Sequence, residues 1–254
     1  MSGRVDVIGL GPGAEDLRCP RATLALAQAT DLVGYVPYVE RVVAEGGQRI
    51  HASDNREEIM RARLALQLAA EGARVAVVSS GDGGVFGMAA AVFEAMDHGE
   101  PGWRDLEVTV HPGVSAVLAA GARLGAPFGN DFCVMSLSDN LKPWTVILNR
   151  LECAARGGFA MAFYNPISKA RPWQLGEALT LLRRHLPGHV PVIFARAVSR
   201  PEEAVAVTTL ARARPEQADM RTLVIVGNAE TRLIPRTGQD PWIYTPRSVG
   251  RERT

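Results

Sequence analysis

The sequence predicts an α/β protein of two domains. Short Val-rich runs such as residues 73–78 alternate with amphipathic segments such as residues 57–70, which is typical of strands covered by helices on both faces of a parallel sheet. Several of these runs end in glycine-bearing turns, where α/β sheets bind their ligands. The polar, proline-ended segment 137–143 interrupts the alternation. We therefore expect domains at residues 1–138 and 139–254.

The overall composition is that of an ordinary globular protein. The 254 residues are 47% hydrophobic and 22% charged, with a formal net charge of +1. Nucleic-acid-binding proteins usually carry a strongly basic surface, and this small net charge does not indicate one. No run of about 18 apolar residues and no secretory leader is visible, so we expect a cytoplasmic protein that does not span a membrane.

The cysteines and histidines give no metal or disulfide pattern. Cys19, Cys133 and Cys153 are odd in number and widely spaced, which argues against a disulfide framework or a zinc site. His185 and His189 have the spacing of helical metal ligands, but a proline and a glycine between them would break the helix. We therefore expect inert thiols and no metal.

The first βα unit contains a possible dinucleotide motif. A strand over 4–9 ends at Gly9, and Gly11 and Ala14 complete the pattern GxGxx(G/A) of NAD-binding proteins. The following helix is predicted to begin only at Pro20, so its N-terminus would not meet a pyrophosphate. In NAD-binding proteins an acidic residue about 20 residues after the glycines binds the ribose from the end of the next strand. Asp31 lies at that distance along the chain, but it stands at the start of the next apolar run. An NAD-dependent oxidoreductase remains an alternative.

A second turn follows the strand that ends near Val78. Gly81, Gly83 and Gly84 allow backbone conformations closed to other residues and let a ligand approach closely. Asp82 stands among them, at the carboxyl end of the strand. Either this is a ligand loop, or it is a tight turn with a solvated carboxylate. A helix is expected to follow over 85–96.

A third turn joins a strand over 106–110 to an Ala-rich helix over 114–124. It contains His111 and Ser115. Ser115 either caps the helix or contacts a ligand at the same edge of the sheet as Asp82. A strand over 132–136 is expected to close the first domain.

The second half repeats the alternation. The expected helices and strands are a helix over 144–156, a strand over 158–164, a helix over 173–184, a strand over 190–195, an edge strand over 204–208 and a strand over 222–226. Together they predict a smaller α/β unit.

Three glycine-bearing stretches together resemble the tetrapyrrole methylase family: residues 7–13, residues 80–87 and residues 113–116. Members of this family use S-adenosylmethionine as the methyl donor. The resemblance implies the class III methyltransferase fold, in which two α/β domains flank a ligand cleft. It also implies an anionic tetrapyrrole (precorrin) substrate in an adjoining trough, and a homodimer.

Further stretches resemble one branch of this family, whose members methylate ring carbon C17 and contract the macrocycle. These stretches are residues 31–35, 79–88, 131–132, 136–139 and 163–169. Two other possibilities stay open. One is a sibling activity on a cobalt-containing intermediate or at another ring carbon, and the other is a noncatalytic tetrapyrrole-binding protein.

The resemblance also implies site residues, position by position. The expected cofactor contacts are Pro12, Ser80, Gly81, Asp82, Val85, Ser115 and Ala116 in the first domain, with Tyr164, Asn165, Ala195 and Gly227 in the second. The expected substrate contacts are Gly11, Pro12, Lys142, Lys169 and Arg171, since a polycarboxylate needs cationic partners. Asp82, Asp139 and His111 are candidates for a catalytic base by position alone.

Overall fold

A computed structural model describes residues 3–44, 46–54 and 57–248. The chain divides into two compact units, residues 1–116 and 117–254. No helix in the described ranges is long and apolar enough to cross a membrane.

The first unit contains a five-stranded parallel sheet. Its strands are β1 (Arg4–Gly9), β2 (Asp31–Tyr35), β3 (Arg49–Ser53), β4 (Arg74–Ser79) and β5 (Glu107–His111). They lie in the order β3-β2-β4-β1-β5. All carboxyl ends therefore meet at one edge of the sheet.

Helices cover both faces of this sheet. Helix α1 (Pro20–Gln28) packs with Ile8 and Val78 on one face. Helices α3 (Glu58–Ala70) and α4 (Met88–Asp97) pack with alternate strand residues on the other. Between these elements lie the short helix α2 (Val36–Val39) and the 3₁₀ turns Glu15–Leu17 and Pro101–Asp105.

The strand order creates a topological switch point between β1 and β4. These strands are neighbours, yet the helices that follow them, α1 and α4, lie on opposite faces of the sheet. In open α/β sheets the crevice beyond the carboxyl ends of such a strand pair is the usual ligand site. The turns after β1 and β4 are the first two glycine-bearing stretches of the sequence.

The second unit has a mixed sheet. Its strands are β7 (Phe132–Ser136), β8 (Ala160–Tyr164), β9 (Pro191–Arg196), β10 (Ala204–Thr209) and β11 (Thr222–Val226), in the order β10-β9-β11-β8-β7. Only β7 and β8 pair in parallel within this sheet. Helices α6 (Trp144–Arg156) and α7 (Gln174–His185) pack on one face.

A small sheet completes the second unit. It joins β12 (Arg232–Arg236), β13 (Gln239–Tyr244) and the two-residue β6 (Gly125–Ala126), which follows helix α5 (Ala116–Leu124). Because β6 pairs with β13, the chain joins the second unit well before the predicted junction.

Three sequence-based expectations are corrected. The division falls after residue 116 instead of 138, and β7 pairs with β8 in the second sheet instead of closing the first domain. Strands β3, β6, β12 and β13 were not predicted. Helix α4 begins at Met88 instead of residue 85, because Phe86 adopts a left-handed conformation with φ of 53°.

The thiols differ in exposure. Cys153 is exposed, whereas Cys19 and Cys133 are half-buried. Burial raises the pKa of Cys133 to about 11, so this thiol stays protonated at neutral pH and is a poor nucleophile.

A buried carboxylate joins the amino ends of β2 and β3. Asp31 has no exposed side-chain surface and accepts hydrogen bonds from Arg49 at 2.9 Å and from Thr30 at 2.8 Å. His51 Nε2 lies 2.8 Å from its other oxygen. Burial raises the pKa of Asp31, but the hydrogen bonds from Arg49, His51 and Thr30 outweigh burial and lower the pKa below its usual value.

The substitution Asp31→Asn should lower the free energy of unfolding by about 1–3 kcal/mol at pH 7, because hydrogen bonds to a charged acceptor are lost. A carboxyl whose pKa is lowered by folding stabilises the protein above its unfolded pKa, and this contribution disappears as the pH falls through its folded pKa. Urea unfolding followed by circular dichroism should therefore show the gap to wild type narrowing below about pH 4.

Asp97→Asn is the matched control, since Asp97 is exposed and its closest ion-pair distance to Arg104 is 3.5 Å. It should change stability by no more than about 0.5 kcal/mol. Equal losses in the two variants, or a gap that persists at low pH, would contradict the role given to Asp31.

Candidate functional site

Three bends converge at the carboxyl edge of the first sheet, after β1, β4 and β5. A Cβ on Gly9 would lie 2.8 Å from the Gly113 Cα and 2.8 Å from the Gly81 carbonyl oxygen. A Cβ on Gly113 would overlap that same carbonyl oxygen. Only glycine permits backbones to approach this closely. The sequence-based expectation that these turns share one edge is thus confirmed.

The first two bends are also hydrogen bonded to each other. Gly11 and Gly81 form an isolated antiparallel bridge with N···O distances of 3.1 and 2.9 Å. Both are left-handed, with φ of 74° and 65°. The predicted contacts at Gly11 and Gly81 thus belong to one rigid backbone junction.

The Asp82 carboxylate joins the second bend to the third. Its Oδ1 accepts a hydrogen bond from Gly84 N at 2.7 Å, and its Oδ2 accepts one from Gly113 N at 2.8 Å. A carboxylate that accepts two backbone hydrogen bonds fixes the conformation of the loop. Both oxygens of this candidate base are therefore already engaged.

Residues 85–87 give the edge an apolar surface. Val85 is 39% exposed and Phe86 is 55% exposed. Phe86 is held in the left-handed region at φ of 53°, a strained conformation for an aromatic residue, and residues strained in this way cluster at functional sites. The Ser79 hydroxyl accepts a hydrogen bond from Met88 N at 3.3 Å and so connects β4 to the start of α4.

Sequence reasoning missed Arg41, which follows α2. This half-buried side chain donates from Nη1 to the Ser80 hydroxyl at 3.1 Å and from Nη2 to the Gly11 carbonyl at 3.3 Å. A guanidinium thus lies against the first two bends, beside the predicted contact Ser80. No motif marks it, because its reach depends on the fold alone.

Two further predicted contacts are Ser115, at the end of the third bend, and Tyr164, in the second unit. Ser115 is buried and precedes Ala116, the first residue of the helix. The hydroxyl of Tyr164, at the end of β8, accepts a hydrogen bond from Val117 N at 3.0 Å. Tyr164 therefore satisfies one of the free N–H groups of this helix terminus.

The remaining candidate bases have structural partners. His111 is buried and its Nε2 lies 2.8 Å from Asp6 Oδ1, while Arg4 donates to the other Asp6 oxygen at 2.9 Å. Asp139 pairs with Arg171 Nη1 at 3.1 Å. These contacts account for both groups without assigning them a catalytic role.

The other predicted cofactor contacts of the second unit occupy different environments. Asn165 is exposed, has φ of 50° and donates to the Ser136 hydroxyl at 3.0 Å. Ala195 is buried within β9. A Cβ on Gly227 would lie 2.6 Å from Thr231 Oγ1. Packing against Thr231 alone therefore accounts for a glycine at this position. Their contact with a cofactor stays a prediction.

The predicted cationic contacts follow the carboxyl ends of β7 and β8. Lys169 is exposed, whereas Lys142 and Arg171 are half-buried. Burial and then the nearby charge of Arg150 lower the pKa of Lys142. Arg171 is held by its ion pair, and Lys169 stands at the tip of the same turn.

The geometry disfavours the NAD alternative. After Gly11 the chain forms the 3₁₀ turn Glu15–Leu17 before α1 begins at Pro20, so the glycines do not meet the helix N-terminus. Asp31 lies at the amino end of β2, on the opposite edge of the sheet from the glycine bends.

Comparisons with known proteins agree over nearly the whole chain. The family described as Tetrapyrrole (Corrin/Porphyrin) Methylases matches residues 4–214. The precorrin-3B C(17)-methyltransferase of Sinorhizobium sp is 54% identical over 97% of this chain and 97% of that protein. The probable cobalt-factor III C(17)-methyltransferase of Salmonella typhimurium is 39% identical over 96% of this chain and 98% of its own length.

A solved structure gives the same result. The crystal structure of the methyltransferase CobJ is 55% identical, with a TM-score of 0.92, and the match covers 96% of this chain and 100% of that chain. The predicted α/β fold class is confirmed.

The substitution Gly113→Ala should force the second and third bends apart, because the new methyl group would overlap the Gly81 carbonyl oxygen. We expect a loss of about 1–3 kcal/mol in the free energy of unfolding, as for other overpacked sites. Calorimetry should also show weaker binding of S-adenosylhomocysteine, the product of the expected cofactor. Gly102→Ala is the control, since nothing lies within 4 Å of a Cβ there. Indistinguishable behaviour of the two variants would contradict the convergence of the bends.

Proposed function

Because the chain belongs to the tetrapyrrole (corrin/porphyrin) methylase family, we propose that it transfers a methyl group from S-adenosylmethionine to C17 of precorrin-3B, with ring contraction to precorrin-4, in cobalamin biosynthesis. The observation that carries the proposal is the 54% identity, over nearly full length, to a protein named for this reaction. The convergent glycine bends provide a suitable binding edge.

The residues of the first unit fit an adenosyl sulfonium. Small residues leave backbone groups accessible at the switch point, and the exposed Val85 and Phe86 offer an apolar surface for a flat ring. The fixed carboxylate of Asp82 supplies a negative charge near a cationic ligand. We propose Pro12, Ser80, Gly81, Asp82, Val85, Ser115 and Ala116 as its contacts in this unit, with Tyr164, Asn165, Ala195 and Gly227 as further contacts.

When bound, S-adenosylmethionine supplies an electrophilic methyl group, so the protein's main task is to orient C17 in line with it and to exclude water. Rigid bends suit that task, because misplacement of the reacting atoms is costly. Ring contraction displaces C20 and needs a base for the proton of its hydroxyl group. Asp82, Asp139 and His111 are each engaged by protein groups, so we assign this proton to none of them.

Charge complementarity supports the choice of a polycarboxylated substrate. We propose that Lys142, Lys169 and Arg171 face its carboxylates and that Gly11 and Pro12 contact the macrocycle. Arg41 adds a cation beside Gly11. We further propose that the enzyme acts as a homodimer in the cytoplasm, as the family resemblance implies; size-exclusion chromatography with light scattering tests the dimer.

A second candidate is methylation of the cobalt-containing counterpart, cobalt-factor III. The similarity to the Salmonella protein favours it, but the identity of 39% is lower than the 54% shared with the precorrin-3B enzyme. The metal-free substrate is therefore our first choice.

Incubation with precorrin-3B and methyl-labelled S-adenosylmethionine should give a product labelled at C17, identified by mass spectrometry and carbon NMR. A parallel incubation with cobalt-factor III measures the preference between the substrates. Label at another carbon would contradict the C17 assignment, and preferential labelling of cobalt-factor III would favour the second candidate. Binding of either macrocycle without any methyl transfer would indicate a noncatalytic protein.

A further inference from the structure

Two unpaired donors lie in one turn of the second unit. In the described part of the chain, three buried side-chain polar atoms have no hydrogen-bond partner: Arg18 Nε, Ser168 Oγ and Arg171 Nε. An unpaired buried donor is destabilising, so such groups usually have a partner. Two of the three, Ser168 and Arg171, stand three residues apart in the chain segment that follows β8.

The turn places both donors on the same side. Ser168 N donates to Arg171 O at 3.2 Å, and Arg171 N donates to Ser168 O at 3.1 Å, so the two residues form an isolated antiparallel bridge. Residues directly opposite each other in such a pair project their side chains to the same face. Lys169 is exposed at the tip between them.

One nitrogen of the Arg171 guanidinium is anchored by an ion pair. Its Nη1 pairs with Asp139 Oδ1 at 3.1 Å, and that oxygen also accepts a hydrogen bond at 2.9 Å from Gln174, a residue with only 2% of its surface exposed. The five N–H groups of a guanidinium have a fixed planar arrangement, so anchoring Nη1 leaves the Nε edge aimed in one direction. The donor is therefore oriented before any ligand arrives.

The chemistry of this pair suits a carboxylate. Nε of arginine only donates, and its cation favours an anionic acceptor in a short, charge-assisted hydrogen bond. A carboxylate has two oxygens, one for Arg171 Nε and one for the Ser168 hydroxyl. The turn also follows the carboxyl end of β8, next to that of the parallel strand β7, where α/β sheets bind ligands.

We infer that Ser168 Oγ and Arg171 Nε form a binding site for one carboxylate of the tetrapyrrole substrate, positioned by Asp139 and Gln174. The inference rests on the proposed function and adds a specific pair of donors to it. Ser168 is the new element, since its hydroxyl has no hydrogen-bond partner among the residues that the structure describes.

The test compares Ser168→Ala with wild type in two assays. In the first, fluorescence titration measures the affinity for uroporphyrin III, a stable polycarboxylated tetrapyrrole. In the second, steady-state kinetics with precorrin-3B give KM and kcat. We expect about tenfold weaker probe binding and about tenfold higher KM with little change in kcat, because a hydrogen bond to a charged group is lost.

Arg171→Lys provides a second variant that keeps the positive charge beside Asp139 and removes the Nε donor. It should show a similar loss of probe affinity. Thr180→Ala is the matched control, since the Thr180 hydroxyl donates to the Gly176 carbonyl on α7 at 2.8 Å. This control should leave probe binding and KM unchanged, and all variants should bind S-adenosylhomocysteine like wild type.

Unchanged probe affinity and KM in Ser168→Ala would overturn the inference, since the two donors would then bind only water. Selective loss of S-adenosylhomocysteine affinity would also overturn it, by assigning the donors to the carboxylate of the methyl donor. Weaker probe binding by Ser168→Ala would support the inference even if wild type transferred no methyl group. The lack of methyl transfer would then contradict the proposed function but not the carboxylate site.

Discussion

The close approach of three backbone bends is the constraint on which the candidate site depends. Gly9 ends β1, and Gly81 and Gly113 follow the adjacent strands β4 and β5. A side chain at Gly9 or Gly113 would collide with the neighbouring backbone, and Gly81 is held in the left-handed region at φ of 65°. The parallel order β4-β1-β5 brings the three bends to one edge, and the reciprocal bonds between Gly11 and Gly81 lock two of them together. A ligand at this edge would meet backbone groups whose positions are fixed by the sheet.

Electrostatics complement this backbone junction. Asp82 ties the second bend to the third through two backbone N–H groups, and Arg41 lies against the first and second bends. Opposite charges thus flank one small-residue edge, which suits a ligand that carries both a sulfonium and a carboxylate. In the second unit, the inferred site of Ser168 and Arg171 likewise offers fixed donors to an anionic ligand, here a carboxylate of the macrocycle. Orientation, more than a single catalytic side chain, is the contribution that these residues offer.

Much of the first unit follows from local patterns. Val-rich runs predicted β1, β4 and β5, and the glycines after them predicted turns where the structure has turns. That these turns bind a ligand stays a prediction. The partners of a strand are less predictable, because a run such as Phe132–Ser136 has the same apolar pattern whichever sheet it joins. The contacts of Arg41 and the unpaired donors of Ser168 and Arg171 depend on side-chain reach and burial in the folded chain, and no spacing in the sequence encodes them.

Hydrogen exchange measured by mass spectrometry with and without S-adenosylhomocysteine tests the central claim most directly. If the three bends form one binding edge, the ligand should slow exchange together in peptides that cover residues 9–14, 80–87 and 112–117. The amino end of β2 near Asp31, on the opposite edge of the sheet, should be unaffected. Protection of only one bend, or protection centred on the amino ends of the strands, would contradict the account.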